Sequence, residues 1–269
     1  ALPLLSADAV SAALERLYAE SGRDFRDYAP SWAGPRLEQA AKTLGLKGLA
    51  GLAEALARPE SRAAVISALS IGTTPLFSDP DFARLVRGPV LERLRTYPSP
   101  RIWQLACGTG EPAYEIAVIL AEEGLLARSR VYATDFAEAG LETGRAGAYP
   151  LAELAAAAPR HLESGAKGPL SQHYERLEGG VARFKPELRE RVSFMEHSLP
   201  TDSSPNEFHF AICREPLGRF NRALQNRVLG LLHDSLCPFG LLAAPGDESM
   251  KHRLAAMGFE PAAAAGLYR

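Results

Sequence analysis

The stretch RIWQLACGTGEPAYE, residues 101–115, decides the fold of this chain. Its first part, RIWQLA, is a short apolar run typical of a buried strand, and EPAYE opens a run with helical spacing. Gly108 and Gly110 lie between them, so the pattern predicts a strand, a tight turn and a helix. The turn either binds a nucleotide-like cofactor or is a plain structural turn. Glycine suits a binding turn, because it lets a ligand approach the backbone closely.

Short apolar runs alternate with helical patterns after residue 100. The predicted strands are RIWQLA (101–106), VYATDF (131–136), VSFMEH (192–197), FHFAIC (208–213) and GLLAAP (240–245). The predicted helices between them include residues 112–124, 136–147 and 221–236. This alternation predicts an α/β fold with a doubly wound, Rossmann-like parallel sheet, because parallel neighbours need crossover connections.

Two compositional regions divide the chain. Apolar residues recur at helical spacing up to about residue 95, with short breakers between segments, which predicts an all-helical N-terminal domain over residues 1–95. TYPSP, residues 96–100, is the predicted linker, and residues 96–269 are the predicted α/β domain. Residues 161–190 break the rhythm of strands and helices, and we expect a small inserted subdomain there.

Composition and charge exclude several classes of function. The 269 residues are 46% hydrophobic and 23% charged, with a formal net charge of -2, which is typical of a soluble globular protein without a bias toward nucleic acid. No apolar run approaches membrane-spanning length, and residues 1–20 look like a capped helix rather than a signal peptide. Cys107, Cys213 and Cys237 are not in metal-ligand spacing, so we expect a reduced, cytoplasmic setting and no zinc or other metal.

Asp135 strengthens the cofactor interpretation of the glycine turn. It ends the second predicted strand about twenty residues after the turn, where a carboxylate can accept hydrogen bonds from both ribose hydroxyls. The alternative is that Asp135 only caps the next helix. Glu111, directly after the turn, disfavours a phosphate there by charge repulsion. S-adenosylmethionine (SAM) fits better, because it carries a cationic sulfonium, an ammonium group and no phosphate.

A series of blocks follows along the chain. They are TTPLFSDPDF (73–82), WQLACGTGEPAYEIAV (103–118), YATDF (132–136), LETGRAGAYP (141–150), FKPELRERVSFMEHSL (184–199), FHFAICREPLGRF (208–220) and GFEPAAAAGLYR (258–269). In order and spacing, the chain resembles the CheR-type chemotaxis receptor methyltransferases, which use SAM to methyl-esterify glutamates on signalling helices. The resemblance implies a SAM-methyltransferase sheet, a helical N-terminal domain, a small inserted β-subdomain and S-adenosylhomocysteine as product.

The resemblance also implies which residues bind the cofactor. The implied cofactor residues are Thr74, Gly108, Gly110, Glu111, Asp135, Ser198, Leu199, Arg214 and Glu215. Among them, Glu111 is expected near the methionine part of SAM and Asp135 at the ribose. Phe136 is a further candidate, because it either flanks the adenine or fills the core.

Several positions depart from the family pattern. Ser78 stands where the family has an arginine, and Arg219 stands where it has a tyrosine. Both family residues lie beside the transferred methyl group and the acceptor carboxylate. Arg219 is therefore the candidate catalytic residue that supplies the missing cation, or it only begins a solvated helix. Ser198 and Glu215 replace asparagines, and Glu215 attracts a sulfonium but repels an acceptor glutamate.

Three functions are compatible with these residues, and we rank them in the following order. The first is SAM-dependent O-methylation of a protein glutamate in a signalling system, with an altered acceptor site. The second is a catalytically weakened relative that binds SAM as a regulatory or scaffold module. The third interprets EPLGRF (215–220) as a distant form of an amino-group methyltransferase loop. We expect a protein or receptor-like partner, no nucleic acid and no membrane insertion.

Overall fold

A six-stranded sheet forms the middle of the computed structural model, which describes residues 6–46, 48–69, 74–214 and 216–269. The strands are β1 (Arg101–Leu105), β2 (Arg130–Asp135), β3 (Ala148–Pro150), β4 (Tyr174–Leu177), β5 (Val181–Phe184), β6 (Val192–Glu196), β7 (Phe208–Ile212), β8 (Leu236–Ala243) and β9 (Leu267–Tyr268). The helices are α1 (Ala7–Ser21), α2 (Pro30–Thr43), α3 (Gly48–Ala57), α4 (Pro59–Ala68), α5 (Pro80–Leu85), α6 (Leu91–Leu94), α7 (Glu111–Glu122), α8 (Glu138–Ala146), α9 (Leu151–Glu163), α10 (Pro186–Arg189), α11 (Arg222–Ser235) and α12 (Glu248–Ala256).

The central sheet has the strand order β6-β2-β1-β7-β8-β9. The pairs from β6 to β8 are parallel, and β9 runs antiparallel to β8. The predicted α/β fold with a doubly wound parallel sheet is confirmed. The strand order reverses between β1 and β7, and ligands of such sheets bind outside the carboxyl ends of the strands at that point.

Alternate residues of β1 point to opposite faces of the sheet, as the pleat requires. Ile102 joins the buried cluster that contains the apolar side of α7, whereas Trp103 and Leu105 join a second buried cluster. This second cluster also takes residues from α1, α2, α3, α4, α11 and α12. The N-terminal helices therefore share a core with one face of the sheet, although the domain division into residues 1–95 and 96–269 stays a prediction.

A second, three-stranded antiparallel sheet has the order β3-β5-β4. The segment 161–190, predicted as an inserted subdomain, contains β4 and β5, and β3 precedes it in the chain. No helix in the described part of the chain is both long enough and apolar enough to span a bilayer.

The predicted turn between β1 and α7 is present, and α7 begins at Glu111. Gly108 and Gly110 both have left-handed backbone angles, with φ of 55° and 100°. A Cβ atom on Gly110 would lie 2.8 Å from Cε1 of Phe194 and 3.0 Å from Cα of Gly144. Glycine is thus required at position 110 by packing within the protein, whatever a ligand also requires there.

Candidate functional site

The carboxyl ends of the central strands border two cavities that meet at Ala106. The first has a volume of only about 20 Å³ and is called here the Asp135 cavity. The second has a volume of about 360 Å³ and is called the Arg214 cavity. Ala106 lines both and has a φ of 50°, a strained angle for a residue with a side chain. The switch point of the sheet is therefore a crevice with two distinct ends.

The Asp135 cavity brings together several of the residues that the sequence predicts for cofactor binding. Asp135, Phe136, Ser198 and Leu199 all line it. They follow the carboxyl ends of β2 and β6, which are adjacent parallel strands, so residues distant in sequence meet at one edge.

The Asp135 carboxylate connects the glycine turn to the end of β2. Oδ2 accepts a hydrogen bond from the Gly108 N–H at 2.9 Å, and Oδ1 accepts one from the Ala137 N–H at 3.0 Å. Ala137 is itself the N-cap of α8 and no side-chain hydrogen bond caps this helix, so Asp135 stabilises the turn before α8 and does not cap it. Burial raises the pKa of Asp135, against the opposing effect of these hydrogen bonds. Each carboxylate oxygen has a further lone pair, so acceptance from a ligand hydroxyl stays available.

Residues from the N-terminal region close the Asp135 cavity, and the sequence analysis did not identify them. Arg23 donates a hydrogen bond to the carbonyl oxygen of Phe136 at 3.0 Å and forms an ion pair with Glu196 at 2.5 Å. The Phe25 ring meets the Phe136 ring edge-on, with centroids 4.8 Å apart. Phe136 is 9% exposed, and it therefore has both roles: it packs in the core and it lines the cavity. Nothing local to the SGRD segment indicates contacts with residues so far along the chain.

The Arg214 cavity contains Thr74, Ser78 and Arg214 among its lining residues. Arg214 Nη2 lies 2.5 Å from Oδ2 of Asp79, and its guanidinium carbon lies 4.2 Å from the centre of the Phe82 ring. Burial raises the pKa of Asp79, but hydrogen bonds from the Phe82 N–H and Arg214 outweigh it, so the pKa is below its ordinary value. Arg214 is held in place by an anion and an aromatic face.

Glu115, on α7, also lines the Arg214 cavity, and the sequence analysis missed it. Its side chain is largely buried, and Oε2 accepts a hydrogen bond from the Phe77 N–H at 2.7 Å. Phe77 has a φ of 55°, so the residue whose N–H holds Glu115 has a strained backbone. Burial raises the pKa of Glu115 to about 7. The available signal was a single acid within the apolar run 113–120.

Glu111 is not brought into either cavity. It lines a separate cavity of about 360 Å³ together with Tyr149 and Arg160. Its Oε2 accepts a hydrogen bond from the Thr109 hydroxyl at 2.6 Å, and burial raises its pKa. The expected position of Glu111 beside the methionine part of the cofactor stays a prediction.

Arg219 lies in a short turn before α11, with its guanidinium carbon 5.7 Å from the centre of the Trp32 ring. The positive charge of Arg219 lowers the pKa of Asp135, whereas burial raises it. The described residues that line the cavity around Ser78 include Arg214 and not Arg219. The role of Arg219 in catalysis stays a prediction. Glu215 lies outside the described residues.

One group of side chains in the described part of the chain has the composition and spacing of a metal site. Nε2 of His161 and Nε2 of His173 lie 2.8 and 3.1 Å from Oε1 of Glu122. Oε2 of Glu122 forms an ion pair with Arg87 at 2.5 Å. Hydrogen bonds thus satisfy both carboxylate oxygens without an ion, and the cation of Arg87 opposes a second cation nearby. The expectation that the chain binds no metal is not tested by this geometry.

Comparison with known proteins gives one consistent result. The family model described as "CheR methyltransferase, SAM binding domain" matches residues 74–263. The "Putative methyltransferase Cher3" of Pseudomonas putida is 34% identical over 249 residues, which are 92% of this chain and 91% of that protein. The "Chemotaxis protein methyltransferase" of Salmonella typhimurium is 27% identical over 246 residues, covering 88% of this chain and 82% of that protein. "Chemotaxis protein methyltransferase 2" of Pseudomonas aeruginosa is 28% identical over 243 residues, covering 88% and 85%.

Proposed function

Since the chain belongs to the CheR methyltransferase family and contains its SAM-binding domain, we propose that it transfers the methyl group of SAM to a glutamate carboxylate of a signalling protein. The observation that carries the proposal is the two-ended crevice at the switch point of the sheet. One end has a buried carboxylate and aromatic rings, and the other has an oriented arginine. Ala106 lies between the two ends, where a donor and an acceptor would meet.

The side chains around the Asp135 cavity suit the adenosine part of SAM, and the cavity has to widen from its volume of about 20 Å³ when the adenosine binds. In our proposal, the Asp135 carboxylate accepts hydrogen bonds from the ribose hydroxyls, and Phe136 and Leu199 provide apolar surface for the base. Ser198 adds a hydroxyl at the cavity wall. Gly108 is placed through its hydrogen bond to Asp135, so the glycine turn and the ribose site are one unit.

The Arg214 cavity suits the methionine part and the acceptor. When bound, SAM would supply a methyl group on a cationic sulfur, and an anionic carboxylate would displace that sulfur as a neutral thioether without a strong base. The task of the protein is therefore alignment and exclusion of water. In our proposal, Arg214 orients the acceptor carboxylate, Asp79 holds Arg214, and Thr74 borders the methionine part.

Calorimetry with S-adenosylhomocysteine tests the cofactor site. We expect Asp135→Asn to weaken binding at least tenfold, because a charge-assisted hydrogen bond contributes about 1.5–3 kcal/mol. Asp234→Asn is the control, since that side chain is 81% exposed. Equal affinities for the two variants would show that the ribose does not lie at Asp135.

Transfer of labelled methyl from SAM to fragments of receptor signalling helices tests the reaction. A base-labile product is expected, because glutamate methyl esters hydrolyse in alkali. Binding of S-adenosylhomocysteine without transfer would instead support the regulatory or scaffold function. One observation favours that alternative. Arg214 already forms an ion pair with Asp79 within the cavity, so its charge is not fully available to an acceptor carboxylate. The protein partner and the cytoplasmic setting stay predictions.

A further inference from the structure

The charge balance of the Arg214 cavity raises a question about its acceptor. Among the described residues that line it, the ionisable ones are Asp79, Glu115 and Arg214. Asp79 and Arg214 form an ion pair at 2.5 Å, so their charges largely cancel. Glu115 in its ionised form would give the lining of the cavity a net negative charge. That charge offsets the positive charge of bound SAM, so no net attraction is left for an acceptor carboxylate, and the Glu115 anion itself repels it where water is excluded.

The surroundings of Glu115 decide which form it takes. Its Oε2 is held by the Phe77 N–H at 2.7 Å, in a segment whose backbone is strained. The charged groups that act on it are Arg214 after β7, Asp79 before α5 and Arg87 in the turn between α5 and α6. Two cations and one anion face it, yet Arg214 and Arg87 each have a carboxylate partner of their own.

We propose that Glu115 is a specificity residue of the acceptor site and acts as the neutral acid, its O–H donating a hydrogen bond to the acceptor carboxylate. This inference rests on the proposed function. Burial raises the pKa of Glu115 to about 7, so the neutral form is well populated near neutral pH. A bound acceptor anion raises that pKa further, since it disfavours a second negative charge. A proton thereby replaces the cation that the cavity lacks at Ser78.

The transfer step balances without a change at Glu115. The acceptor oxygen forms the new O–C bond while the S–C bond of the sulfonium breaks and its electron pair stays on sulfur. The negative charge of the acceptor and the positive charge of the donor cancel. The proton of Glu115 remains on Glu115, so this residue binds and selects the acceptor and is not a general acid or base.

A pH series of methyl transfer tests the proposal. The probe is a synthetic peptide with one internal glutamate and blocked termini. Above about pH 7 we expect kcat/KM to fall about tenfold for each pH unit, through KM rather than kcat, because binding requires the proton. Glu115→Gln, whose amide still donates a hydrogen bond, is expected to remove this fall. Glu187→Gln, an exposed residue of α10, is the matched control and should keep it.

Proton uptake gives an independent measurement. Calorimetry of peptide binding to the protein with S-adenosylhomocysteine bound, at about pH 8 in two buffers of different ionisation heat, measures the protons taken up. We expect uptake to approach one proton for the natural chain and to be close to zero for Glu115→Gln. The measurement on the natural chain alone decides the case if the variant fails to fold.

Each other outcome overturns the proposal in a recognisable way. Transfer without any fall above pH 7, or peptide binding without proton uptake, overturns the role of Glu115 and leaves the proposed function intact. A rate that rises through pH 7 and is lost in Glu115→Gln shows that the ionised form of Glu115 is the active one, and overturns the proposal. No transfer at any pH, with S-adenosylhomocysteine still bound, overturns the proposed function and this proposal with it.

Discussion

Glu115 makes the stability of the fold depend on pH. Its pKa is about 7 in the folded protein and 4.5 in its ordinary environment, so folding favours the protonated form. The stability from this group is fully present below pH 4.5 and is lost as the pH rises to about 7. The loss is about 3 kcal/mol at most, because one pKa unit corresponds to about 1.4 kcal/mol.

Glu115→Gln should therefore flatten the pH dependence of the free energy of unfolding between pH 4.5 and about 7. Urea denaturation at a series of pH values measures it, and the difference between variant and natural chain isolates this residue from other buried acids. Glu187→Gln should leave the curve unchanged. An identical slope for Glu115→Gln and the natural chain would contradict the burial argument.

Single residues of the site differ in how well the sequence predicts them. Asp135 is predictable, because a parallel strand places its last residue at the ligand edge of the sheet, whatever the rest of the fold does. Glu115 is not, since helical periodicity indicates burial but not the neighbours that a buried carboxyl will meet. Those neighbours, such as Phe77 and Arg214, come from segments far apart in the chain.

The turn between β1 and α7 is the element whose sequence is most constrained. We expect Gly110→Ala to lower the free energy of unfolding by about 2–4 kcal/mol, because a left-handed backbone costs roughly 1–2 kcal/mol with a side chain and overpacking adds to it. The overpacking is against Phe194 and Gly144. Thermal or urea unfolding measures the effect.

Gly230→Ala, within α11, is the matched control. Its Cβ would lie 3.8 Å from the nearest side-chain atom, Cε of Met257, so this change should be neutral or slightly stabilising. Similar stabilities for the two variants would show that the turn has more room than the structure indicates. Strands and helices beside this turn were predictable from periodicity, whereas the reason for Gly110 required the packing of α8 and β6 against it.

Glu122, in α7, contacts His161, His173 and Arg87, which lie in three other segments of the chain. Burial raises the pKa of Glu122, but hydrogen bonds from His161, His173 and Arg87 outweigh it and hold the pKa below its ordinary value. We expect Glu122→Gln to cost about 3–5 kcal/mol of stability, since it leaves the buried cation of Arg87 without its main partner. Urea denaturation at neutral pH tests this.

Metal removal distinguishes the ionic interpretation of this group from a metal site. Two histidines and a carboxylate are a set that zinc binds. We expect neither a chelator nor added zinc to change the melting temperature of the natural chain. A rise with zinc that disappears in Glu122→Gln would show that the group is a metal site instead.

At the scale of the whole molecule, the crevice is lined by residues from segments far apart in the chain, from Arg23 to Pro245. The helical character of the N-terminal region was predictable from its periodicity. Its placement over the Asp135 cavity was not, because that depends on contacts such as Arg23 with Phe136 and Phe25 with Phe136. The loop between α1 and α2 therefore forms one wall of the Asp135 cavity, and changes within this loop should alter ligand exchange.

Arg23→Ala tests this arrangement. Arg23 links the segment between α1 and α2 to β6 and to the end of β2. A partly exposed ion pair and its hydrogen bond contribute about 1 kcal/mol, so we expect the dissociation rate of S-adenosylhomocysteine to rise about fivefold. Stopped-flow displacement measures the rate. Hydrogen exchange at residues 130–136 should increase at the same time, because the cover over that strand end is loosened.

Arg16→Ala is the control from the same region. Arg16, in α1, forms an ion pair with Glu20 at 3.1 Å, and neither residue lines the Asp135 cavity. Its dissociation rate should match the natural chain. If both variants release the ligand equally fast, the N-terminal segment acts through its general stability rather than through the Arg23 link. A rate unchanged in both would place the ligand away from this wall, since a ligand in the Asp135 cavity has to pass it.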